Sequence, residues 1–374
     1  MRTLSILFLV CFSTSTSFSQ NSEAIEFYNE GVELFKQKKY KQAVEKYSET
    51  IDLMPEYINA YYNRGNSYLQ LKKYNSAIND FISVTDLKPT HKKGFFYMGY
   101  AYMLKKDFPK GIENFSAAIK IDPDYSKAYM QRGVAYMKTE EYNKAIRDFS
   151  KTIDLDPDNA EKAYTNRALC ASKNKNYKAA IEDFTSALAK DPKNSKILFK
   201  RAKAYLNMEN YEEALDDFEG YKKKKGESVE LNYYLGYLKL RMDRYEEANT
   251  LFAAVLYNDP THLSAAKNKA ICSLTLEEYE ETLKDHDLLI KLGEKTEDNY
   301  FNRGTAFLNL EMYEQAINDF SRAIQVDPEL GQAYFNRANA YVKVKENIKA
   351  CNDITKAAEL NIEGAQQYVG VLCD

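Results

Sequence analysis

Apolar residues along this chain recur in steps of three and four, and the whole pattern returns every 34 residues. Pro55, Pro89, Pro123 and Pro157 stand 34 apart, Pro192 follows at 35, and Pro260 and Pro328 come at two further double periods of 34. Punctuated this way, copies begin near Ala24, Ile58, Lys92, Ser126, Glu161, Ser195, Val229, Leu263, Glu297 and Gly331. Each copy carries two apolar stripes of helical period, at about positions 2–14 and 17–30. The pattern predicts a pair of helices per copy, A and B. The one extra residue lies between Pro157 and Tyr164, in a turn.

Position 8 is Gly or Ala in every copy: Gly31, Gly65, Gly99, Gly133, Ala168, Ala202, Gly236, Ala270, Gly304 and Ala338. Position 20 is also small, with Thr282 the exception. Position 17 is aromatic except at Asn347, and position 24 is Tyr or Phe except at His286 and Ile354. Small residues let two helices approach closely, and the rings fill the space beside that contact. Proline at position 32 stops helix B and pushes its predecessor out of the helical region. One hairpin cannot bury its apolar face alone, whereas a stack of them can. Two turns lack the proline, at Lys222 to Gly226 and at Leu292-Gly293-Glu294, and the glycine there is expected to close helix B.

Comparison of the copies exposes a charge pair. Arg64, Arg132, Arg167, Arg201, Arg303 and Arg337 occupy position 7, and the same copies hold Asp80, Asp148, Asp183, Asp217, Asp319 and Asp353 at position 23. Lys269 and Asp285 form a variant, while Glu30 with Lys46, Met98 with Asn114 and Leu235 with Leu251 lack both members. Co-occurrence at this spacing predicts a structural Arg–carboxylate fork between helices A and B.

The 34-residue period, the rings at position 4 (Phe27, Tyr61, Phe95, Tyr129, Tyr164), Gly/Ala 8, Tyr 11, Ala 20, Phe 24 and Pro 32 resemble the tetratricopeptide repeat family over about residues 24–364. The resemblance implies an all-α, right-handed superhelical solenoid of about ten repeats across 20–364. A C-terminal capping helix at 365–374 follows, with Tyr368 at position 4 and Leu372 at position 8. It also implies a concave groove lined by A-helix positions 2, 5, 6, 9, 12 and 13. Position 6 then brings Asn29, Asn63, Tyr97, Asn166, Lys200, Tyr234, Asn268, Asn302 and Asn336 into the groove. The asparagines resemble the ladder in the repeat superhelix of O-linked N-acetylglucosamine transferases, and a side-chain amide suits the backbone of an extended peptide. Position 5 adds Tyr62, Phe96, Phe199, Tyr233, Phe301 and Phe335, and position 9 adds Tyr100 and Tyr237. Position 2 contributes Lys93, Lys127, Lys162 and Lys196, joined by Lys200 and Lys203, a set that suits an acidic partner. The carboxylate clamp of chaperone-binding relatives is incomplete, because Met130 and Val134 stand where it needs Lys and Asn.

Composition narrows the function further. With 52 Lys+Arg against 55 Asp+Glu, the balance offers no bulk phosphate neutralisation, so nucleic acid is not an expected partner. Arg2, the apolar run Leu4 to Phe12 and Ser17-Phe18-Ser19 read as a cleaved export signal over 1–19, which places the mature chain in the periplasm or outside the cell. Val10 argues against lipid attachment at Cys11, and no other stretch is apolar enough to span a membrane. Among the remaining cysteines, Cys170 and Cys272 are too far apart to meet, and Cys351 either pairs with Cys373 or fills an apolar slot. His91 and His262 stand in turns and His286 in a core slot, no CxxC occurs, and the glycines belong to position 8. No catalytic site, metal or cofactor is expected. The reading is a non-enzymatic protein–protein scaffold of a bacterial cell envelope that holds an extended peptide or a partner helix. The alternatives are a glycan-binding module using the groove tyrosines and a subunit of an envelope enzyme or secretion complex completed by its partner.

Overall fold

The computed structural model describes residues 21–373, so the export signal expected at 1–19 lies outside the described residues. Every regular element among them is a helix. The A helices are α1 (21–36), α3 (Ile58–Gln70), α5 (Lys92–Leu104), α7 (Ser126–Lys138), α9 (Glu161–Lys173), α11 (Ser195–Asn207), α13 (Val229–Arg241), α15 (Leu263–Thr275), α17 (Glu297–Asn309) and α19 (Gly331–Lys343). From α3 onward each starts on the first residue of its copy. The B helices are α2 (Tyr40–Leu53), α4 (Tyr74–Leu87), α6 (Phe108–Ile121), α8 (Tyr142–Leu155), α10 (Tyr177–Lys190), α12 (Tyr211–Lys225), α14 (Tyr245–Asn258), α16 (Tyr279–Lys291), α18 (Tyr313–Val326) and α20 (Asn347–Glu359), and α21 (Ala365–Leu372) closes the series. Each B helix opens on position 17. The residue inserted after Pro157 sits in the turn before α9, where it disturbs no helix.

The chain divides into two compact units, one running to Ile197 and the other from Leu198. Within each, a helix packs on its hairpin partner and on the first helix of the next hairpin. The seam is narrow because position 8 lacks bulk. A Cβ on Gly133 would lie 2.8 Å from Phe149 Cε1, and one on Gly65 2.8 Å from Phe81 Cε1, so the ring occupies the space a side chain would take. All ten position-24 residues are buried, including His286 and Ile354.

Both turn types are built by backbone geometry. Between A and B, position 15 is left-handed in all ten hairpins without being glycine, from Lys38 (φ 60°) to Lys345 (φ 63°). Between B and the next A, proline does the work except at Gly226 (φ 78°) and Gly293 (φ 99°), which close α12 and the turn after α16 as plain caps.

The C-terminal helix departs from the expected register. Ala365 N–H donates to Ile362 O, as Ala333 N–H does to Leu330 O and Ala265 N–H to His262 O, so Ala365 takes position 3. Tyr368 therefore stands at position 6 and meets Phe335 edge-on at 5.7 Å, as Tyr234 meets Phe199 at 5.6 Å. The physical reason is a different turn, in which left-handed Asn361 and Gly364 stand in place of proline. A disulfide joins Cys351 of α20 to Cys373 just past α21, with their Cα atoms 5.1 Å apart. It settles the open choice for Cys351 in favour of pairing. Only Ala365 of α21 is fully buried, with Val369 and Leu372 packed beside it, and closing a loop of this size adds about 3 kcal/mol on a chain-entropy account.

Candidate ligand-binding face

Helix geometry decides which side of each A helix is free. Successive side chains turn by about 100°. Positions 3, 8 and 10 are buried against helices B, as Ala60, Gly65 and Ser67 in α3, or Ala163, Ala168 and Cys170 in α9. Position 7 points the same way and makes the expected fork. Arg132 Nε and Nη2 donate to the two carboxylate oxygens of Asp148 at 2.8 Å each, and Arg167 does so to Asp183 at 2.8 and 2.7 Å. Lys269 reaches Asp285 at 2.8 Å, and Ser273 Oγ donates to the same carboxylate.

Two parts of this buckle are not in the sequence reading. In five of these arginines the Nη1 donor crosses to the preceding hairpin. Arg64 Nη1 donates to Ser48 Oγ, Arg132 to Ser116, Arg167 to Ser150 and Arg337 to Ser321, at 2.8–2.9 Å, and Arg303 reaches Asp287 at 3.1 Å. The signal was present: Ile82 and Glu219 occupy that position where Met98 and Leu235 follow instead of arginine. The first hairpin, read as lacking the pair, holds it with charges exchanged, Lys46 Nζ lying 3.1 Å from Glu30.

Positions 2, 6, 9 and 13 fall on the opposite side of helix A, with 5 and 12 at its margins. In the first unit α3, α5, α7 and α9 lie side by side; in the second, α13 lies against α15 and α17 against α19. Equal positions of neighbouring hairpins thus form rows on one inner face.

The residues expected to bind ligand divide into three groups. The amides differ in occupancy: Asn63 Nδ2 donates to Tyr28 OH at 3.0 Å, and Asn336 Oδ1 accepts from Gln332. Asn29 is exposed, and Asn166, Asn268 and Asn302 are half-buried; these four make no side-chain hydrogen bond to other described residues. The position-5 rings pack inside their own hairpins, against the position-24 ring. Phe96 is buried between Phe115 and Tyr125, Tyr62 meets Phe81, Phe199 meets Phe218 and Phe301 meets Phe320. Tyr97 stacks on Phe81 and Tyr234 on Phe218; Tyr233 lies 4.9 Å from His262, and Tyr100 and Tyr237 are half-exposed. Lys93, Lys127, Lys162 and Lys196 are exposed, while Lys203 lies over the Tyr234 ring at 4.5 Å and Lys200 is half-buried. A cleft of about 500 Å³ opens between α17, α19 and α21, lined by Leu308, Asn309, Asn339, Val342 and Tyr368.

The nucleophiles and imidazoles serve the fold. Burial pushes the Cys170 and Cys272 thiols up to about 11, leaving little thiolate at neutral pH. His91 and His262 accept the backbone N–H of Gly94 and Ala265 through Nδ1 and so cap α5 and α15. Burial holds His286 below the ordinary imidazole range; its Nδ1 lies 3.1 Å from Asn299 Oδ1 and its Nε2 has no partner. Among the described residues no three His, Cys, Asp or Glu side chains are grouped to hold a metal, and no helix is long and apolar enough to cross a membrane.

Hairpins that stack by identical contacts and present rows of amides and rings define a repeat scaffold. Family models described as TPR repeat match residues 31–72 and 99–140, and others described as tetratricopeptide repeat match 58–91, 126–159, 171–228, 230–262 and 298–330. Together they cover well over half of the sequence: the chain belongs to the tetratricopeptide repeat family, whose fold serves as a protein-interaction scaffold. The structure is similar to the C-terminal part of a TPR repeat-containing protein from Cytophaga hutchinsonii, with 22% identity over 64% of this chain and 98% of that one and a TM-score of 0.55. A tetratricopeptide repeat protein from Parabacteroides merdae shares 18% identity over 67% and 98% with a TM-score of 0.47. YrrB, described as a TPR protein with an unusual peptide-binding site, shares 16% over 54% and 99% with a TM-score of 0.46. No curated protein matches the chain.

Proposed function

We propose that the protein holds an extended peptide segment of a partner protein against the inner faces of its hairpins, without catalysing a reaction. The observation that carries this is the set of amides with unspent hydrogen-bonding capacity, Asn166 in the first unit and Asn268 and Asn302 in the second. An amide donates and accepts at once, which matches the alternating groups of an extended backbone. Stacking on sugar is less well supported, because Tyr234 is sandwiched by Phe218 and Lys203 and Tyr233 faces His262. Alanine at Asn166 should weaken a peptide bound to the first unit roughly 5- to 10-fold, the worth of about one or two net hydrogen bonds. Asn268→Ala and Asn302→Ala should do the same on the second. Asn63 is a poorer choice, since its alanine also strips Tyr28. Calorimetric titration with a peptide captured by crosslinking checks this; affinity indifferent to all three, yet lost with Tyr233→Ala and Tyr237→Ala, would turn the reading toward glycans.

The setting we propose is the cell envelope, reached through cleavage near Gln20. The Cys351–Cys373 bond supports an oxidising compartment. Intact-mass measurement of the exported chain should show residues 1–19 missing and two hydrogens lost to that bond. A mass for the full-length, fully reduced chain would contradict it.

A further inference from the structure

Charge on the inner face of the first unit is segregated far beyond the balance of the whole chain. Positions 2, 6, 9 and 13 of α1, α3, α5, α7 and α9 hold no Asp or Glu, in a sequence with 55 acidic residues against 52 basic ones. At position 2 stand Lys93, Lys127 and Lys162, on α5, α7 and α9, which lie side by side. At position 13 stand Lys36, Lys138 and Lys173, a row not singled out by sequence reading. All are exposed, and only Lys36 has a carboxylate in reach, Glu33 at 2.7 Å. By contrast, neighbouring Lys92 is tied to Asp122. A lysine near a helix N-terminus works against the helix dipole. Three in register there raise the potential along one line without a counter-charge.

We infer that this face binds an acidic peptide in a polyproline II-like conformation, with a carboxylate at about every third residue; the inference rests on the peptide reading above. The spacing argument is geometric. Packed helices stand about 8–10 Å apart, so the position-2 lysines repeat at that interval. A polyproline II strand advances about 3.1 Å per residue with three residues per turn, so residues i, i+3 and i+6 share one edge about 9 Å apart. A β-strand places i and i+3 on opposite faces and cannot keep that register. The lysines at position 13 lie about 16 Å along the helices from those at position 2. Between the two rows run Tyr97, Gln131 and Asn166, the amides of the last two being left to meet the strand's backbone. The three position-2 lysines thus span about seven ligand residues.

The test uses the full chain and three twelve-residue probes: (Glu-Pro-Pro)4, the same composition with its glutamates in one block, and (Gln-Pro-Pro)4. The spaced acidic peptide should bind tightest and weaken steeply as salt rises. K93Q/K127Q/K162Q should weaken it about 10-fold, the sum of three exposed ion pairs. The corresponding Lys→Arg variant should keep the affinity, which rules out misfolding as the cause. K41Q/K120Q/K178Q, exposed lysines of helices B, should change it less than twofold. Equal binding of the blocked peptide, equal loss in the off-face variant, or tighter binding of a single-stranded DNA twelve-mer would overturn the inference. If (Gln-Pro-Pro)4 binds as well and still depends on Asn166, the charge inference fails while the peptide reading stands. If no probe binds and Asn166→Ala leaves capture of natural peptides intact, both fail.

Discussion

Asp183→Ala should cost about 3 kcal/mol of stability, and Arg167→Met in the same chain should return about half of it. Removing one partner of a buried pair costs roughly 3–5 kcal/mol, because the other charge is left without compensation. The lower end applies, since the Arg167 side chain retains 25% of its exposure against 10% for Asp183. Methionine removes the stranded guanidinium but keeps a chain long enough to fill the slot over Tyr164, whose ring now faces the guanidinium at 5.6 Å. The rescue is incomplete because the bond from Arg167 Nη1 to Ser150 goes too, loosening α9 from α8. Urea unfolding gives the totals, and amide exchange should show the loss centred on α8, α9 and α10, as expected of an array in which each repeat touches only its neighbours. Strictly additive losses in the double variant would end the coupling argument.

Phe149→Ala should cost more, about 4 kcal/mol, and should exceed the loss at Phe184. Deleting a fully buried ring removes its transfer energy and leaves a cavity, together roughly 3–5 kcal/mol. Phe149 is wholly buried and packs with Ala145 and Cys170, with Met130, Val134 and Met137 around them. Opposite it stands Gly133, which has no side chain to lean into the void. Phe184 faces Ala168, whose methyl already takes part of the space, so its removal opens a smaller hole. Thermal melts of the two variants rank them; a larger loss at Phe184 would mean that the seam closes by backbone movement rather than by ring volume.

The period was legible because prolines and small residues act locally: each stops a helix or narrows a seam within its own copy. Helix starts from Ile58 to Gly331 follow from that alone. What stayed hidden depends on sign or on a neighbour. Glu30 and Lys46 were passed over because the pair was sought as Arg with Asp, whereas attraction is unchanged when charges trade places. The serine bonds of Arg64, Arg132 and Arg337 join different copies, so no single copy displays them. Tyr368 slipped by two positions because left-handed Asn361 and Gly364 rebuild a turn that the preceding spacing could not anticipate. For the inner face, the side-chain types could be read, but not that Asn63 is spent on Tyr28 or that Tyr234 is enclosed by Phe218 and Lys203.

The left-handed residue at the bend of every hairpin sets how the protein comes apart. A non-glycine residue in that conformation carries a penalty of roughly 1 kcal/mol, met ten times between Lys38 and Lys345. A single hairpin cut from the chain would therefore be poor at folding, and what makes each worthwhile is the company of the next. Soft units with strong couplings melt together over long stretches, and glycine at those bends would stiffen the units one by one, trading collective melting for piecemeal fraying.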